Sequence, residues 1–189
     1  MIMHKIKNSL GQSHQYIEKF VKEGDTVIDA TCGNGSDTLF LAGLVGKTGK
    51  VFSFDIQEKA IEKTTKKLSN ANLIDRVVII KDGHENMDIY INKDVKAVMF
   101  NLGYLPRGDH NISTKSHTTI CAVRKAMNFL VTGGIITIVI YCGGDSGFEE
   151  KEKVLDFLKD IDQKHFIVMK TDFINQSNWP PILICIEKL

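Results

Sequence analysis

The sequence predicts an α/β fold in which a mostly parallel sheet of seven strands carries helices on both faces. Apolar runs recur along the whole chain at intervals that fit an alternation of strands and helices. Several runs, such as Val77–Ile80 and Ile135–Ile140, are almost uninterrupted, which is typical of strands buried on both faces. The last two runs are joined by only about ten residues, Asp172–Pro181, too few for a helical crossover. The final strand should therefore run antiparallel to its neighbour.

The elements can be assigned in chain order from these runs and from apolar residues three and four positions apart. The predicted strands are Thr26–Ala30, Val51–Asp55, Arg76–Lys81, Val95–Asn101, Gly134–Tyr141, His165–Thr171 and Ile182–Glu187. The predicted helices are Ser9–Lys22, Ser36–Leu44, Gln57–Asn70, His117–Leu130 and Phe148–Lys159. Five parallel strands followed by an antiparallel hairpin resemble the Rossmann-like fold of class I methyltransferases, and we adopt that fold as the prediction.

Length and composition restrict the class of protein. A chain of 189 residues with 43% hydrophobic residues is expected to form one domain over residues 1–189. Its formal net charge of +1 means that RNA binding would need a local basic patch or an oligomer, and a homodimer would enlarge the RNA-binding surface. The four cysteines form no CxxC pair, so we expect no metal site and a reducing, cytoplasmic location. No apolar stretch is long enough to cross a bilayer, so we expect no membrane association.

The most informative motif joins the first strand to the helix that follows it. The strand ends at Asp29 and passes through Gly33-Asn34-Gly35 into the helix that starts at Ser36. Glycines let the backbone approach a ligand closely, and a helix N-terminus suits a carboxylate. The dinucleotide fingerprint is incomplete because Thr38 replaces its third glycine. The acid four residues before the first glycine favours S-adenosylmethionine, and the expected contacts are Asp29, Cys32, Gly33, Asn34, Gly35 and Asp37.

Acids also follow the second and third strands. Asp55 lies about 20 residues after the glycines, where a carboxylate accepts hydrogen bonds from both ribose hydroxyls. The alternative is that Asp55 only caps the helix that begins at Gln57, which we also assign to the cofactor site. The segment Asp82-Gly83-His84 is placed to receive the adenine amino group, or else forms an ordinary turn.

The fourth strand carries a more specific signal. Val98-Met99-Phe100-Asn101 runs into Leu102-Gly103-Tyr104-Leu105-Pro106-Arg107-Gly108-Asp109. Together with Asp29–Gly35, Tyr141–Asp145 and Asn175–Pro181, this segment resembles a family of small bacterial methyltransferases, formerly grouped as rRNA methylases and associated with wobble uridine modification in tRNA. The resemblance covers nearly the whole chain. It implies methylation of the exocyclic amine of 5-aminomethyl-2-thiouridine in the anticodon arm.

Three residues are candidates for the reaction itself. Asn101 resembles the first position of the Asn/Asp-Pro-Pro-Tyr signature of amino methyltransferases, although Leu102 and Gly103 replace the prolines. Its side-chain carbonyl can accept a hydrogen bond from the amine. Tyr104 would stack on the base or simply pack in its loop, and Asp145 or a water would take the amine proton.

Substrate contacts are expected in loops that follow the later strands, because ligands of open α/β sheets bind at the carboxyl ends of the strands. The candidates are Tyr104, Arg107, His110, Lys115, Tyr141, Asn175, Asn178 and Trp179, with His117 as a further positive group. Trp179 would form a stacking platform or lid, or pack in the core. We interpret Lys59, Lys63, Lys66 and Lys67 as a solvated helix face, and the sequence leaves open whether His14 and Tyr16 pack or bind a ligand.

Three other functions remain open at this stage. The chain would act as an rRNA base methyltransferase, as a methyltransferase of a small-molecule amine, or as a nucleotide-binding module without catalysis. The first two keep the cofactor site. The third would keep Asp29 and Asp55 but would have no working substrate loops.

Overall fold

A computed structural model describes residues 6–92, 94–103, 114–141 and 145–189, with the backbone alone for residues 145–150. Its strands are β1 (Thr26–Asp29), β2 (Lys50–Phe54), β3 (Val77–Ile80), β4 (Val95–Leu102), β5 (Leu130–Ile140), β6 (Phe166–Thr171) and β7 (Ile182–Lys188). Its helices are α1 (Ser9–Phe20), α2 (Ser36–Leu44), α3 (Glu58–Asn70), α4 (Met87–Tyr90), α5 (Ser116–Phe129) and α6 (Asp145–Lys159). None of the helices in these ranges is both long and apolar enough to cross a membrane.

The seven strands form one sheet in the order β3-β2-β1-β4-β5-β7-β6. The pairs β1 with β2, β1 with β4, β2 with β3 and β4 with β5 are parallel. Strand β7 is antiparallel to both β5 and β6, as the short connection predicted. The chain reverses its direction of winding between β1 and β4, which is where ligands of such sheets bind.

Both faces of the sheet are buried under helices. Helices α1, α2 and α3 cover one face, where Ile17, Leu41 and Leu68 pack on β1, β2 and β4. Helices α4, α5 and α6 cover the other face through residues that include Met87 and Val154. Burial on both faces explains why the inner strands read as continuous apolar runs.

The structure confirms the predicted fold and corrects three details. Helix α6 begins at Asp145, before the predicted Phe148. Strand β5 begins at Leu130, four residues before the predicted Gly134, because Leu130 pairs with Val95 across an irregular register before regular pairing resumes at Ile135. Helix α4 was not predicted, since a single turn of four residues gives no helical periodicity in the sequence.

Candidate active site

The candidate site lies where the chain leaves β1 and β4. The amide of Ala30 donates to the carbonyl of Met99 at 2.9 Å, which continues the pairing past the end of β1. The amide of Asn101 donates to the hydroxyl of Thr31 at 2.7 Å. These bonds fix the first residues after β1 against the end of β4, so the two predicted site segments lie side by side.

The turn Gly33-Asn34-Gly35 needs its glycines. Gly33 and Gly35 have φ angles of 53° and 72°, in the left-handed region. A Cβ atom on Gly35 would lie 2.5 Å from the Thr64 hydroxyl oxygen and 2.9 Å from the Thr64 Cα. Gly35 is also the N-cap of α2 and brings no side chain to that position, so the N–H groups of the first turn can bind a ligand.

Asp29 supports this turn from inside the protein. Its carboxyl group is completely buried and accepts hydrogen bonds from the Thr31 amide at 3.1 Å and the Thr38 hydroxyl at 2.5 Å. The Thr38 hydroxyl lies 2.8 Å from that of Ser53. Burial raises the pKa of Asp29 to about 7, and the neighbouring Asp37 carboxylate adds to the rise. Asp29 therefore organises the loop, and its contact with the cofactor stays a prediction.

Asp55 connects the glycine turn to the start of α3. Its two carboxylate oxygens accept hydrogen bonds from the amides of Gly33 at 2.8 Å and Gln57 at 2.9 Å. The second bond is the local turn that the capping interpretation requires. The first bond places the carboxylate beside the glycines, and each oxygen keeps a further lone pair for a ribose hydroxyl. The next residue, Ile56, is 55% exposed at the end of β2 and offers an apolar surface there.

The turn after β3 contains a carboxylate with three hydrogen bonds, on Asp82, and an imidazole with one, on His84. Asp82 accepts hydrogen bonds from the Gly83 amide, the Asn86 side chain and the Tyr90 hydroxyl, and the bond from Asn86 has the largest effect in lowering its pKa. His84 is buried, and its Nδ1 lies 3.1 Å from the carbonyl of Ala30. A carbonyl only accepts, so Nδ1 carries the proton and Nε2 is an acceptor. Nε2 has no hydrogen-bond partner in the described part of the chain.

A hydrogen-bonded group that the sequence did not reveal lies behind Asn101. Asp37 is buried and accepts a hydrogen bond from Nε2 of His14 at 2.7 Å. The His14 ring stacks on Phe40 with centroids 4.1 Å apart. The second oxygen of Asp37 accepts from Nδ2 of Asn101 at 3.4 Å. The buried carbonyl oxygen Oδ1 of Asn101 has no partner among the described residues.

The other predicted site residues differ in their contacts and in their exposure. Cys32 turns its thiol inward to Thr64 at 3.0 Å, and burial raises its pKa to about 11, so only its backbone borders the turn. Tyr141 is 44% exposed and lies beside Gly103; burial raises its pKa, with a contribution from Asp37. Exposed positions are occupied by Lys115, Asn175, Asn178 and Trp179. Tyr104, Arg107 and His110 lie outside the described residues, as does the side chain of Asp145.

The lysines of α3 lie on a largely exposed face, as expected, and two of them make contacts that the sequence did not reveal. Lys63 donates to the side chain of Asn34 at 3.3 Å, and Lys67 donates to the hydroxyl of Ser36 at 2.9 Å. Both therefore contact the glycine turn. Across the described ranges, no group of three or more His, Cys, Asp and Glu side chains could hold a metal ion.

The sheet order, the glycine turn before α2 and the acids after β1, β2 and β3 define a class I methyltransferase that uses S-adenosylmethionine. The donors and acceptors fit that cofactor, since the open N–H groups of α2 suit a carboxylate and Asp55 suits a diol. The family described as Putative rRNA methylase matches residues 51–187, and the chain belongs to it. The protein-L-isoaspartate(D-aspartate) O-methyltransferase family matches residues 7–90, which contain the glycine turn.

Individual relatives agree with this assignment. The chain is 36% identical to the chloroplastic tRNA (mnm(5)s(2)U34)-methyltransferase of Arabidopsis thaliana, over 96% of this chain and 70% of the relative. A solved structure described as a putative rRNA-methylase from Clostridium thermocellum is 74% identical with a TM-score of 0.97, covering 98% of this chain and all of that one. A protein from Streptococcus mutans described as a putative methyltransferase and solved with S-adenosylhomocysteine is 40% identical with a TM-score of 0.90, covering 97% and 99%.

Proposed function

We propose that this enzyme transfers a methyl group from S-adenosylmethionine to the aminomethyl group of 5-aminomethyl-2-thiouridine at the wobble position of tRNA. The product would be 5-methylaminomethyl-2-thiouridine. The observation that carries the proposal is the buried carbonyl oxygen of Asn101 at the end of β4, which has no partner among the described residues and is an acceptor suited to an amine N–H. The Arabidopsis relative, whose name specifies a wobble uridine methyltransferase, supports the choice of substrate.

The cofactor would lie over the ends of β1, β2 and β3. In our assignment its methionine carboxylate binds the first turn of α2, where Gly35 leaves the N–H groups accessible. Its ribose hydroxyls bind Asp55, beside Gly33 and Gln57. The adenine packs on Ile56 and approaches the turn that contains Asp82, Gly83 and His84, where Nε2 of His84 is an available acceptor.

The orientation of the Asn101 side chain follows from its neighbour. A carboxylate only accepts hydrogen bonds, so Asp37 turns the NH2 group of Asn101 toward itself. The carbonyl oxygen then faces away from Asp37, and because no described residue bonds to it, we assign it to the substrate. His14 holds Asp37 in this position by its 2.7 Å hydrogen bond, and the stack on Phe40 holds His14. We therefore assign Asp37 and His14 as positioning residues for Asn101.

The reaction needs a neutral amine with its lone pair directed at the methyl carbon. S-adenosylmethionine supplies a methyl group activated by the positive charge on sulfur. The carbonyl of Asn101 accepts one N–H of the amine and so directs the lone pair, and such positioning supplies a large part of the rate enhancement. Because Asn101 is not ionisable, this contact persists across the working pH range. Asp145, the first residue of α6, is our candidate for receiving the amine proton.

An RNA substrate is favoured by exposed aromatic groups near the ends of β5 and β6. Tyr141 and Trp179 are 44% and 67% exposed, as expected for residues that stack on bases. We propose that the anticodon arm contacts them together with Lys115, Asn175 and Asn178, and that a homodimer extends this surface. We place the enzyme in the cytoplasm, with which the free thiols of Cys32, Cys121 and Cys185 are compatible.

Nucleoside analysis of a deletion strain tests the proposal. The tRNA should accumulate 5-aminomethyl-2-thiouridine, and the purified enzyme with S-adenosylmethionine should convert that tRNA to the methylated form. Loss of a methylated nucleoside from rRNA, with unchanged tRNA, would identify an rRNA methyltransferase instead. Failure to methylate either RNA while cofactor binding persists would refute an RNA substrate.

A further inference from the structure

A basic depression lies between α3 and the glycine turn. It has a volume of about 380 Å³ and is lined by Asn34, Lys63, Lys66, Lys67 and Asn70, which we call the lysine pocket. We propose that the lysine pocket binds the phosphodiester backbone of the RNA substrate, an inference that rests on the proposed function. It would add a fixed contact on the side of the site opposite the substrate loops.

The geometry of α3 gathers the positive charges at one place. Lys63 and Lys67 are four residues apart, so they project from the same face of the helix, and Lys66 lies next to them. Hydrogen bonds to Asn34 and Ser36 hold the two ammonium groups over the glycine turn. Each ammonium group has three N–H donors, so these bonds leave further donors for a phosphate oxygen.

The lysines of the lysine pocket form no ion pair within the described part of the chain. No described carboxylate lies within 4.0 Å of the ammonium groups of Lys63, Lys66 or Lys67. Some other lysines do have such partners, as Lys81 has in Glu58 and Lys125 has in Asp88. Like charges four residues apart on a helix repel one another. An anionic ligand would remove this repulsion, and the pocket offers it cations and amide groups.

A phosphodiester is the anion that fits the rest of the molecule. The chain as a whole carries a formal net charge of only +1, so attraction to RNA must come from a local concentration of lysines. Ammonium groups contact phosphates without reading the bases, which suits a surface that positions one nucleotide at a distant reaction centre. Asn34 and Ser36 belong to the segment that enters α2, so RNA bound here would lie at the edge of the sheet where Asn101 is found.

The competing explanation is that the lysines only brace the glycine turn. The two explanations predict different losses. A brace would affect the affinity for the cofactor, because the turn forms part of the cofactor site. A phosphate contact would affect the affinity for RNA and its dependence on salt, and would leave cofactor affinity unchanged.

The test compares two triple variants that change the net charge equally. The first carries Lys63→Gln, Lys66→Gln and Lys67→Gln. The control carries Lys47→Gln, Lys159→Gln and Lys164→Gln. These three exposed lysines precede the amino ends of β2 and β6, away from the carboxyl ends where the site lies. Binding of tRNA from the deletion strain is measured between about 50 and about 200 mM salt, and each phosphate contact contributes about 0.9 to the slope of log K against log salt. Binding of S-adenosylhomocysteine is measured in parallel.

We expect the first variant to lose about tenfold or more in tRNA affinity at low salt, with a salt slope lower by about 1 to 3. The control variant should retain a near wild-type slope, and both should bind S-adenosylhomocysteine normally. Equal losses in the two variants, or weaker cofactor binding with unchanged tRNA binding, would overturn the lysine pocket. If the wild type methylates tRNA while the first variant binds it with the wild-type slope, the pocket fails and the proposed function stands. If the wild type does not bind tRNA, both fail.

Discussion

The two sides of the candidate site differ in how their polar groups are satisfied. On the cofactor side, at the ends of β1, β2 and β3, the carboxylates of Asp29, Asp55 and Asp82 each accept at least two hydrogen bonds from the protein. On the substrate side, at the ends of β4 and β5, the buried carbonyl of Asn101 has no partner among the described residues and Tyr141 is exposed. The carboxylates of the cofactor side are thus satisfied by the protein, whereas the substrate side holds an acceptor that a ligand can satisfy.

This difference suggests how the enzyme divides its tasks. A cofactor common to many methyltransferases can be held by backbone groups and by carboxylates that the fold already fixes. An amine substrate must be selected, and an unpaired buried acceptor selects strongly, because a ligand without an N–H at that position leaves the acceptor unsatisfied. The following predictions test this contrast, beginning with the largest expected effect.

The cofactor side should be intolerant of any side chain at Gly35. In Gly35→Ala the left-handed backbone costs about 1–3 kcal/mol, and the clash with Thr64 adds about 1–3 kcal/mol. We expect a combined loss of about 2–6 kcal/mol, divided between unfolding free energy and affinity for S-adenosylhomocysteine. Urea unfolding and calorimetry measure the two parts.

Gly43→Ala is the matched control, because a Cβ there meets no atom within 4 Å and alanine favours the helix α2. It should be as stable as the wild type or more stable, with unchanged cofactor affinity. Equal behaviour of the two alanine variants would show that the turn is not rigid, and the contrast between the two sides would then be lost.

Asp55→Ala should weaken cofactor binding without preventing folding. The variant removes the acceptor for the ribose hydroxyls and also the bond to the Gly33 amide. Hydrogen bonds to charged groups contribute about 1.5–3 kcal/mol, so affinity should fall roughly ten- to a hundredfold. Calorimetry that finds wild-type affinity would remove Asp55 from the ribose site and leave it as a helix cap only.

The substrate side should respond in turnover more than in cofactor affinity. Asn101→Ala should lower kcat by about tenfold or more, which is about 1.4 kcal/mol, because a residue that aligns the amine acts mainly on the transition state. Single-turnover methylation of undermodified tRNA measures this effect. A wild-type rate in this variant would contradict the assignment and direct attention to Tyr141 or Asp145.

A double-mutant cycle tests whether Asp37 acts through Asn101. Asp37→Asn can still bond to Asn101, but an amide no longer dictates which end of the Asn101 side chain faces the substrate. The single variant should lose turnover, and the same change in an Asn101→Ala background should cost little more. Additive losses, or a loss of cofactor affinity in both backgrounds, would show instead that Asp37 contacts the cofactor.

The sequence predicted those parts of the site whose residues lie close together along the chain, and missed those that depend on contacts between distant residues. The glycine turn and Asp55 were proposed as site residues because a strand, an acid and closely spaced glycines form one short pattern. Asn101 was proposed through a family resemblance. His14 was left undecided because its partner Asp37 is 23 residues away on another helix, and no spacing connects them. The contacts of Lys63 and Lys67 with the glycine turn were missed for the same reason, since Asn34 and Ser36 lie 29 and 31 residues away.

The fold was more predictable than the site because its signals repeat. Continuous apolar runs located every strand, and the short link between Thr171 and Ile182 predicted the antiparallel end of the sheet. The early start of β5 was missed because the pairing of Leu130 with Val95 depends on an irregular register. Register irregularities arise from contacts between strands, so the periodicity of a single strand does not reveal them.

His84 is the exception on the cofactor side, and it provides the last and smallest test. Its buried Nε2 is unpaired among the described residues, and burial lowers the pKa of the ring below the ordinary value of 6.5. Below pH 6.5 His84 binds a proton in the unfolded chain but not in the folded protein. The contribution of His84 to the unfolding free energy is therefore present above that pH and is lost on acidification.

The variant His84→Asn keeps a donor near the carbonyl of Ala30 but does not titrate. Between about pH 7.5 and about pH 5.5, the wild type should lose up to about 1.4 kcal/mol more unfolding free energy than the variant. Asp29, whose raised pKa of about 7 acts in the opposite direction over this range, is present in both proteins and cancels in the difference. Urea unfolding of both proteins without cofactor at the two pH values gives the result. Parallel losses would mean that His84 titrates with its ordinary pKa in the folded protein, and His84 would then no longer be an exception on the cofactor side.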